Sequence, residues 1–225
     1  MSEQSSRPES LAKARIVAVV GNPRPGSRTA ALATSLARAI AEVAGSAGRG
    51  QPARSAVDPV VLDLADLTEQ LGPPLGAGSA DRWAEPLRIL HAADLLVIAT
   101  PTYKGSYTGL LKSFLDHVGG GALHGITAVP VTTVGSPAHT LAADVHLRPL
   151  LLELGASTPT AALVVGNDQI DDPASAIKPW LEANLAVLHR ALAPAPDSSN
   201  SPDSSNSSNS PDSSDASNPS DGVTT

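Results

Sequence analysis

The 225-residue chain has no cysteine, one methionine and one phenylalanine, and aromatic residues make up only 2% of it. Without cysteine there is no disulfide framework, no thiolate metal site and no thiol redox chemistry, and the composition fits a reducing, cytoplasmic setting. Any redox work must come from a cofactor. Long apolar runs are also missing. No segment approaches the roughly 20 residues of a membrane span, and Met1 to Ser10 lacks the apolar run behind basic residues that marks a secretory signal. Nor is there a basic excess. Fifteen Lys and Arg against 22 Asp and Glu give a formal charge of −7, part of it in an acidic C-terminal stretch, so no nucleic-acid partner is indicated.

What is present is a 41% hydrophobic content, enough for a proper core. The last stretch does not contribute. From Pro194 the chain runs through Ser, Asn, Asp and Pro in near repeats such as SSNSPDSS, which bury too little apolar surface to offset ordering entropy. The expected organisation is a flexible N-terminus over 1–13, one folded domain over 14–193 and a disordered tail over 194–225.

Within the domain, strand-like and helix-like periodicity alternate. Ile16 to Val20, Val60 to Leu64, Leu95 to Ala99, Ala128 to Thr133 and Ala161 to Val165 are short and almost continuously apolar, as strands buried on both faces are. Leu32, Leu36, Ile40 and Val43 form one helical stripe, and Tyr107, Leu110, Leu111, Phe114, Leu115 and Val118 form a sharper one that ends at Gly119, Gly120 and Gly121. Arg82 to Ala92, Leu141 to Leu154 and Ala176 to Leu192 complete five helices. The stretch Gly45 to Ser55 reads as an enlarged surface loop. Five strands alternating with five helices predict an α/β fold, a parallel sheet with helices on both faces.

Ligands of such sheets sit beyond the carboxyl ends of the strands. Three loops there are unusual. Gly21-Asn-Pro-Arg-Pro-Gly-Ser-Arg-Thr29 enters the first helix, where free N–H groups and the positive dipole end suit a phosphate. Ser27 and Thr29 add hydroxyls, and Arg24 and Arg28 add charge. A plain helix cap at Ser27 explains part of the pattern equally well. Gly21 and Gly26 have P-loop spacing, but Ser27 replaces the lysine. Pro23 stands where a dinucleotide fingerprint needs its second glycine. A monophosphate is the better match.

The second loop is Pro101-Thr-Tyr-Lys-Gly-Ser-Tyr-Thr-Gly109. Tyr103 sits where a flat heterocycle can lie on its ring, with Thr102, Gly105 and Ser106 offering polar groups to the heterocycle's edge. Tyr107 falls on the helical stripe and reads as a buried helix residue. The third loop, Thr132-Thr-Val-Gly-Ser-Pro-Ala-His139, either faces the same crevice or is a simple turn.

Together these loops resemble the NADPH-dependent FMN reductase family, particularly the small reductases that supply reduced flavin to sulfonate-using monooxygenases. The resemblance covers Ile16 to Val165 and is carried by GNPRPGSRT, ATPTYKGSYTGLLKSFLDHV and GSPAHTLAADVHLRPLL. It implies a flavodoxin-like fold, FMN and NADPH as cofactors, and a homodimer or homotetramer. It also implies a flavin phosphate at Ser27, Arg28 and Thr29, an isoalloxazine ring along Pro101, Thr102, Tyr103, Lys104, Gly105 and Ser106, and closure by Gly135 and Ser136. Arg24 and Lys104 are the candidates for meeting the phosphates of NADPH. One departure stands out. The alkanesulfonate-type reductases carry an inserted aromatic residue, tied to flavin exchange and assembly, in the stretch matching Asp144 to Arg148, where this chain has Val145 and His146.

Other constellations fail. Gly105-Ser-Tyr-Thr-Gly109 has its serine one place too early for a nucleophile elbow, and His139, Asp144 and His146 lack the spacing of a zinc helix. Asp116 reads as a capping or surface carboxylate. No catalytic side chain and no metal ligand are assigned, because hydride transfer between two cofactors asks the protein to stack and orient them. Three function classes follow. The first is a reductase that releases reduced FMN. The second retains FMN and passes electrons to a quinone or azo compound. The third is a non-enzymatic electron carrier, against which Arg24, Arg28 and the scarcity of aromatics argue.

Overall fold

Five aliphatic runs become five strands: β1 (Ile16–Val20), β2 (Val60–Asp63), β3 (Leu95–Pro101), β4 (Thr127–Val134) and β5 (Leu163–Gly166). They belong to a computed structural model that describes residues 15–46, 58–76 and 78–192. The expected N-terminus over 1–13, the tail over 194–225 and the loop beyond Ser46 lie outside the described residues. Every neighbouring pair is parallel and the sheet order is β2-β1-β3-β4-β5. That order is the flavodoxin-like one.

Every residue of β1 and β3 is buried, and side chains alternate between two cores. Ile16, Ala18 and Val20 face Leu32, Leu36 and Ile40 of α1 (Arg28–Ser46) and Trp180 and Leu188 of α7 (Pro173–Ala191). Val17, Val19, Leu96 and Ile98 face the other side. That side is covered by α2 (Leu64–Leu71), α4 (Ala84–His91), α5 (Gly109–Leu115) and α6 (Arg148–Glu153), with the short α3 (Ser79–Arg82) leading into α4. Trp83 is fully buried there, its ring tilted against Phe114 at a centroid distance of 5.4 Å. A fully buried aliphatic or aromatic side chain contributes about 1.5–3 kcal/mol, so the scarcity of aromatics is offset by aliphatic packing. None of the described helices is long and apolar enough to cross a membrane.

Several boundaries differ from the periodicity reading, four of them with a plain physical cause. The second strand ends at Asp63 because the Asp63 side chain accepts from the Ala65 N–H at 3.0 Å, which caps α2 and draws Leu64 into a helix. The expected helix from Arg82 is broken at Trp83, whose φ of −96° and ψ of 4° leave helical geometry. Tyr107 lies outside a helix: Thr108 accepts from the Leu111 N–H at 3.2 Å and caps α5, so the half-buried Tyr107 packs on the core from the preceding loop. The helix expected over Leu141 to Leu154 is not uniform. Its segment Ala143–Leu147 is a π-helix, closed by the Arg148 N–H donating to the carbonyl of Ala143.

The π turn has local causes. Pro149 has no N–H to give to the carbonyl four residues back, so an ordinary α-helical bond is unavailable there. The Arg148 guanidinium then holds the wide turn from outside, donating to Asp144 Oδ1 at 2.7 Å and to the carbonyls of Thr158 at 2.7 Å and Thr160 at 3.1 Å. A widened turn thus occupies the stretch where the resembled reductases carry an inserted aromatic, although Val145 and His146 fill it here.

The cap at Asp63 has a pH signature. Burial, opposed by its hydrogen bonds to backbone N–H groups and reinforced by the charge of Asp66, raises its pKa above the ordinary 3.8. A raised carboxyl pKa means the contribution of this group to stability is greatest below 3.8 and is lost as pH rises through its folded value. Asp63→Asn keeps the cap without the charge. Urea unfolding of this variant is expected to show its stability relative to wild type improving as pH rises through that window, whereas Asp63→Ala loses about 1 kcal/mol of capping.

Candidate functional site

The loops after β1, β3 and β4 converge at the carboxyl end of the sheet. Gly21 is pinned by its N–H to the carbonyl of Ala99 at 2.7 Å, and its own carbonyl accepts the hydroxyl of the buried Thr108. Ser27 then caps α1, its hydroxyl accepting from the Ala30 N–H at 3.2 Å. The N–H groups of Arg28 and Thr29, at the start of α1, make no hydrogen bond among the described residues, as the geometry of a helix start dictates, whereas Ser27 closes the turn at Pro25 and Gly26. Thr29 is 2% exposed, and its hydroxyl is engaged by Asn22 Nδ2 and by the Thr133 hydroxyl, each at 3.1 Å. It therefore ties the first loop to β4 and offers a ligand its amide.

These groups open onto a cavity of about 420 Å³. Ser27, Arg28, Thr29, Pro101, Thr102, Tyr103 and Gly135 line it, and so does Arg24. The Thr102 hydroxyl is buried with no hydrogen-bond partner among the described residues. Tyr103 stands 43% exposed at its rim. Lys104, Gly105 and Ser106 do not line the cavity. They belong to a tight hairpin in which Tyr103 and Ser106 exchange N–H to carbonyl bonds at 2.8 and 3.1 Å, with Lys104 at φ 52° and Gly105 at φ 81°. Two positive φ values define this turn and fix where the Tyr103 ring leaves the backbone. Lys104 is strained at that angle. Thermal unfolding of Lys104→Gly is expected to show a stability gain of about 1 kcal/mol, because glycine relieves the strain at no packing cost to this exposed position.

Ser136 lines a second cavity, of about 400 Å³, along with Pro137, Thr140, Asp168 and Gln169. Gly135 and Asn167 border both cavities. Thr133, one of the third-loop hydroxyls, lines the first cavity, whereas Asn22, Asn167 and Ile170 are lining residues that the loop reading did not single out. For the last two a signal existed: Gly166-Asn-Asp leaves the carboxyl end of β5, as much a ligand-facing position as the other loops.

The electrostatics are simple. Arg24 and Arg28 bring two cations to the cavity, and Arg28 Nη1 lies 3.4 Å from Asp171 Oδ1 in the β5–α7 loop. Asp116 is far from this chemistry in role: it accepts from Lys112, a hydrogen bond that raises the Lys112 pKa. The α1 start therefore offers an anion two free amides and two guanidiniums, and the Pro101-Thr102-Tyr103 segment beside it offers a surface for a flat ring. This donor set fits FMN.

Comparison with known proteins agrees. The family model described as NADPH-dependent FMN reductase matches residues 14–169. The chain belongs to that family. It is an oxidoreductase that works with FMN and a reduced nicotinamide nucleotide. The chain is 32% identical over 181 residues to an FMN reductase (NADPH) of Pseudomonas aeruginosa, covering 80% of itself and 91% of that relative. It is 33% identical over 144 residues to an NADH-dependent FMN reductase of Pseudomonas putida, covering 64% of itself and 72% of the relative. Among solved structures, an NADH:FMN oxidoreductase in apo form is similar with a TM-score of 0.60 and 34% identity, over 78% of this chain and 90% of that one.

Proposed function

We propose that this family member reduces FMN with NADPH or NADH and hands the reduced flavin to a partner monooxygenase. The observation that carries the reading is the convergence on one cavity of the free amides at the α1 start, Arg28 and Thr29, with the guanidiniums of Arg24 and Arg28, beside the Pro101-Thr102-Tyr103 segment. The amides and guanidiniums are suited to a phosphate, the segment to a flat heterocycle.

FMN, when bound, supplies the redox chemistry by taking a hydride at N5 from the reduced nicotinamide. The residues of this chain bind and orient. Ser27, Arg28 and Thr29 hold the phosphate at the α1 start, where the helix dipole adds to the attraction. Pro101, Thr102 and Tyr103 support the ring. Lys104, Gly105 and Ser106 form the turn that aims Tyr103, and Gly135 closes the cavity beside Ser136, which lines the neighbouring one. Arg24 at the cavity mouth and Lys104 on the exposed turn are placed to meet the nucleotide phosphates. No side chain acts as acid or base. In keeping with the similarity to FMN reductases, the assembly is proposed to be a homodimer or homotetramer, and the absence of cysteine fits a cytoplasmic location.

The test is oxidation of NADPH, and separately of NADH, as free FMN is titrated into flavin-stripped protein. A rate that saturates with FMN far above the enzyme concentration supports flavin as a released substrate. A rate that stops rising at one FMN per site and then needs a quinone or azo acceptor overturns release in favour of retention. Retained flavin with no nucleotide oxidation leaves an electron carrier.

A further inference from the structure

The β5–α7 loop brings acid to a site suited to a phosphate. Gly166-Asn-Asp-Gln-Ile-Asp-Asp172 holds three carboxylates in seven residues. Ile170, 4% exposed, anchors the loop in the core and lines the cavity, while its neighbour Asp171 is exposed and within reach of Arg28. There Asp171 Oδ1 accepts from Arg28 Nη1 at 3.4 Å. Asp168 and Asp172 form no such pair among the described residues. The Arg28–Asp171 pair contributes little to folding, because the two side chains are 58% and 80% exposed and water screens them. Its position matters more than its strength, since Arg28 is one of only two guanidiniums on the cavity.

We infer that Asp171 sets the affinity for FMN by competing for Arg28. The inference rests on the flavin reading above. With the phosphate gone, Asp171 supplies the counter-charge that Arg28 otherwise lacks. With the phosphate bound, Asp171 repels it across the same guanidinium. Both effects weaken the hold on FMN relative to a neutral residue, and both favour exchange of the flavin over retention. Asp171 thus acts through Arg28 when the site is empty and through its own charge when the phosphate is bound. Its influence is confined to ligands that carry the phosphate and is blind to the ring.

The test is titration of FMN and of riboflavin, followed by flavin fluorescence, into the full chain as wild type, Asp171→Asn and Asp171→Glu, with FMN dissociation rates from rapid mixing. A like charge removed at this range in water-screened surroundings is expected to tighten FMN binding about three- to tenfold in Asp171→Asn and to slow dissociation by a similar factor. Riboflavin affinity stays unchanged, Asp171→Glu behaves as wild type, and the gain shrinks as salt is added. Equal FMN affinity in wild type and Asp171→Asn overturns the inference alone. A parallel shift for FMN and riboflavin overturns it too, since that marks an altered loop shape. A wild-type chain that binds no FMN overturns the flavin reading and the inference with it.

Discussion

Arg28→Gln is expected to weaken FMN binding about 10- to 100-fold while leaving riboflavin binding within about twofold. The range follows from charge-assisted hydrogen bonds to a phosphate, worth about 1.5–3 kcal/mol at a partly exposed site, with about 1.4 kcal/mol per factor of ten. Gln keeps the long stem and good helix propensity at the first position of α1. The free amides of the α1 start and the Ser27 cap therefore survive, and the loss is confined to the guanidinium. Losing Arg28 also leaves Asp171 unopposed beside the phosphate, which deepens the effect. The double variant Arg28→Gln/Asp171→Asn is expected to recover part of the affinity. Fluorescence titration of both flavins decides the matter: an Arg28→Gln chain that binds FMN as tightly as wild type removes Arg28 from the phosphate site.

A large loss of stability is expected at Gly21, where no side chain fits. A Cβ there lies 2.5 Å from Leu111 Cβ, a distance that real Cβ atoms do not adopt. The obstructing atom is attached directly to the α5 backbone, so rotation of a side chain cannot relieve the contact. Either α5 or the first loop has to move. Yet the loop is held by the Gly21 N–H bond to Ala99 at 2.7 Å and by the Thr108 hydroxyl on the Gly21 carbonyl. Overpacking of this kind costs about 1–3 kcal/mol, occasionally more, and weakening the Thr108 hydrogen bond adds to it. Gly21→Ala is thus expected to lose about 3 kcal/mol in urea unfolding, with weaker FMN binding because the first and second loops separate. Thr108→Val, which removes the hydroxyl but not the packing, tests the second half of that statement. If Gly21→Ala loses less than about 1 kcal/mol, the close approach is not rigid.

Much of the fold was legible without coordinates. Strands such as Ile16–Val20 and Leu95–Pro101 are apolar at every position, and only burial on both faces explains that in a chain of this length. The spacing of four between Leu32, Leu36 and Ile40 identifies α1, because it keeps them on one buried face. Boundaries were less legible because they depend on single hydrogen bonds. Val60 to Leu71 reads as apolar residues with scattered acids, and only the Asp63 side chain on the Ala65 N–H decides where strand gives way to helix. Tyr107 sat on the right helical phase for the stripe, but Thr108 capped the helix after it. The widened turn at Ala143–Leu147 was hidden because its cause combines Pro149 with Arg148 reaching carbonyls ten and twelve residues away.

The sequence by itself determined the two-sided parallel sheet and the three loops that converge on the cavity, because burial on both faces and glycine- and hydroxyl-rich strand exits are local, composition-level constraints. Only the tertiary structure decided that the β5–α7 loop belongs to the same site. Asn167, Ile170 and Asp171 lie more than 130 residues from Arg28 in the chain, with Asp171 143 positions away. They meet it because α1 and α7 cover the same face of a sheet ordered β2-β1-β3-β4-β5. That proximity is a product of strand order, which no local spacing records.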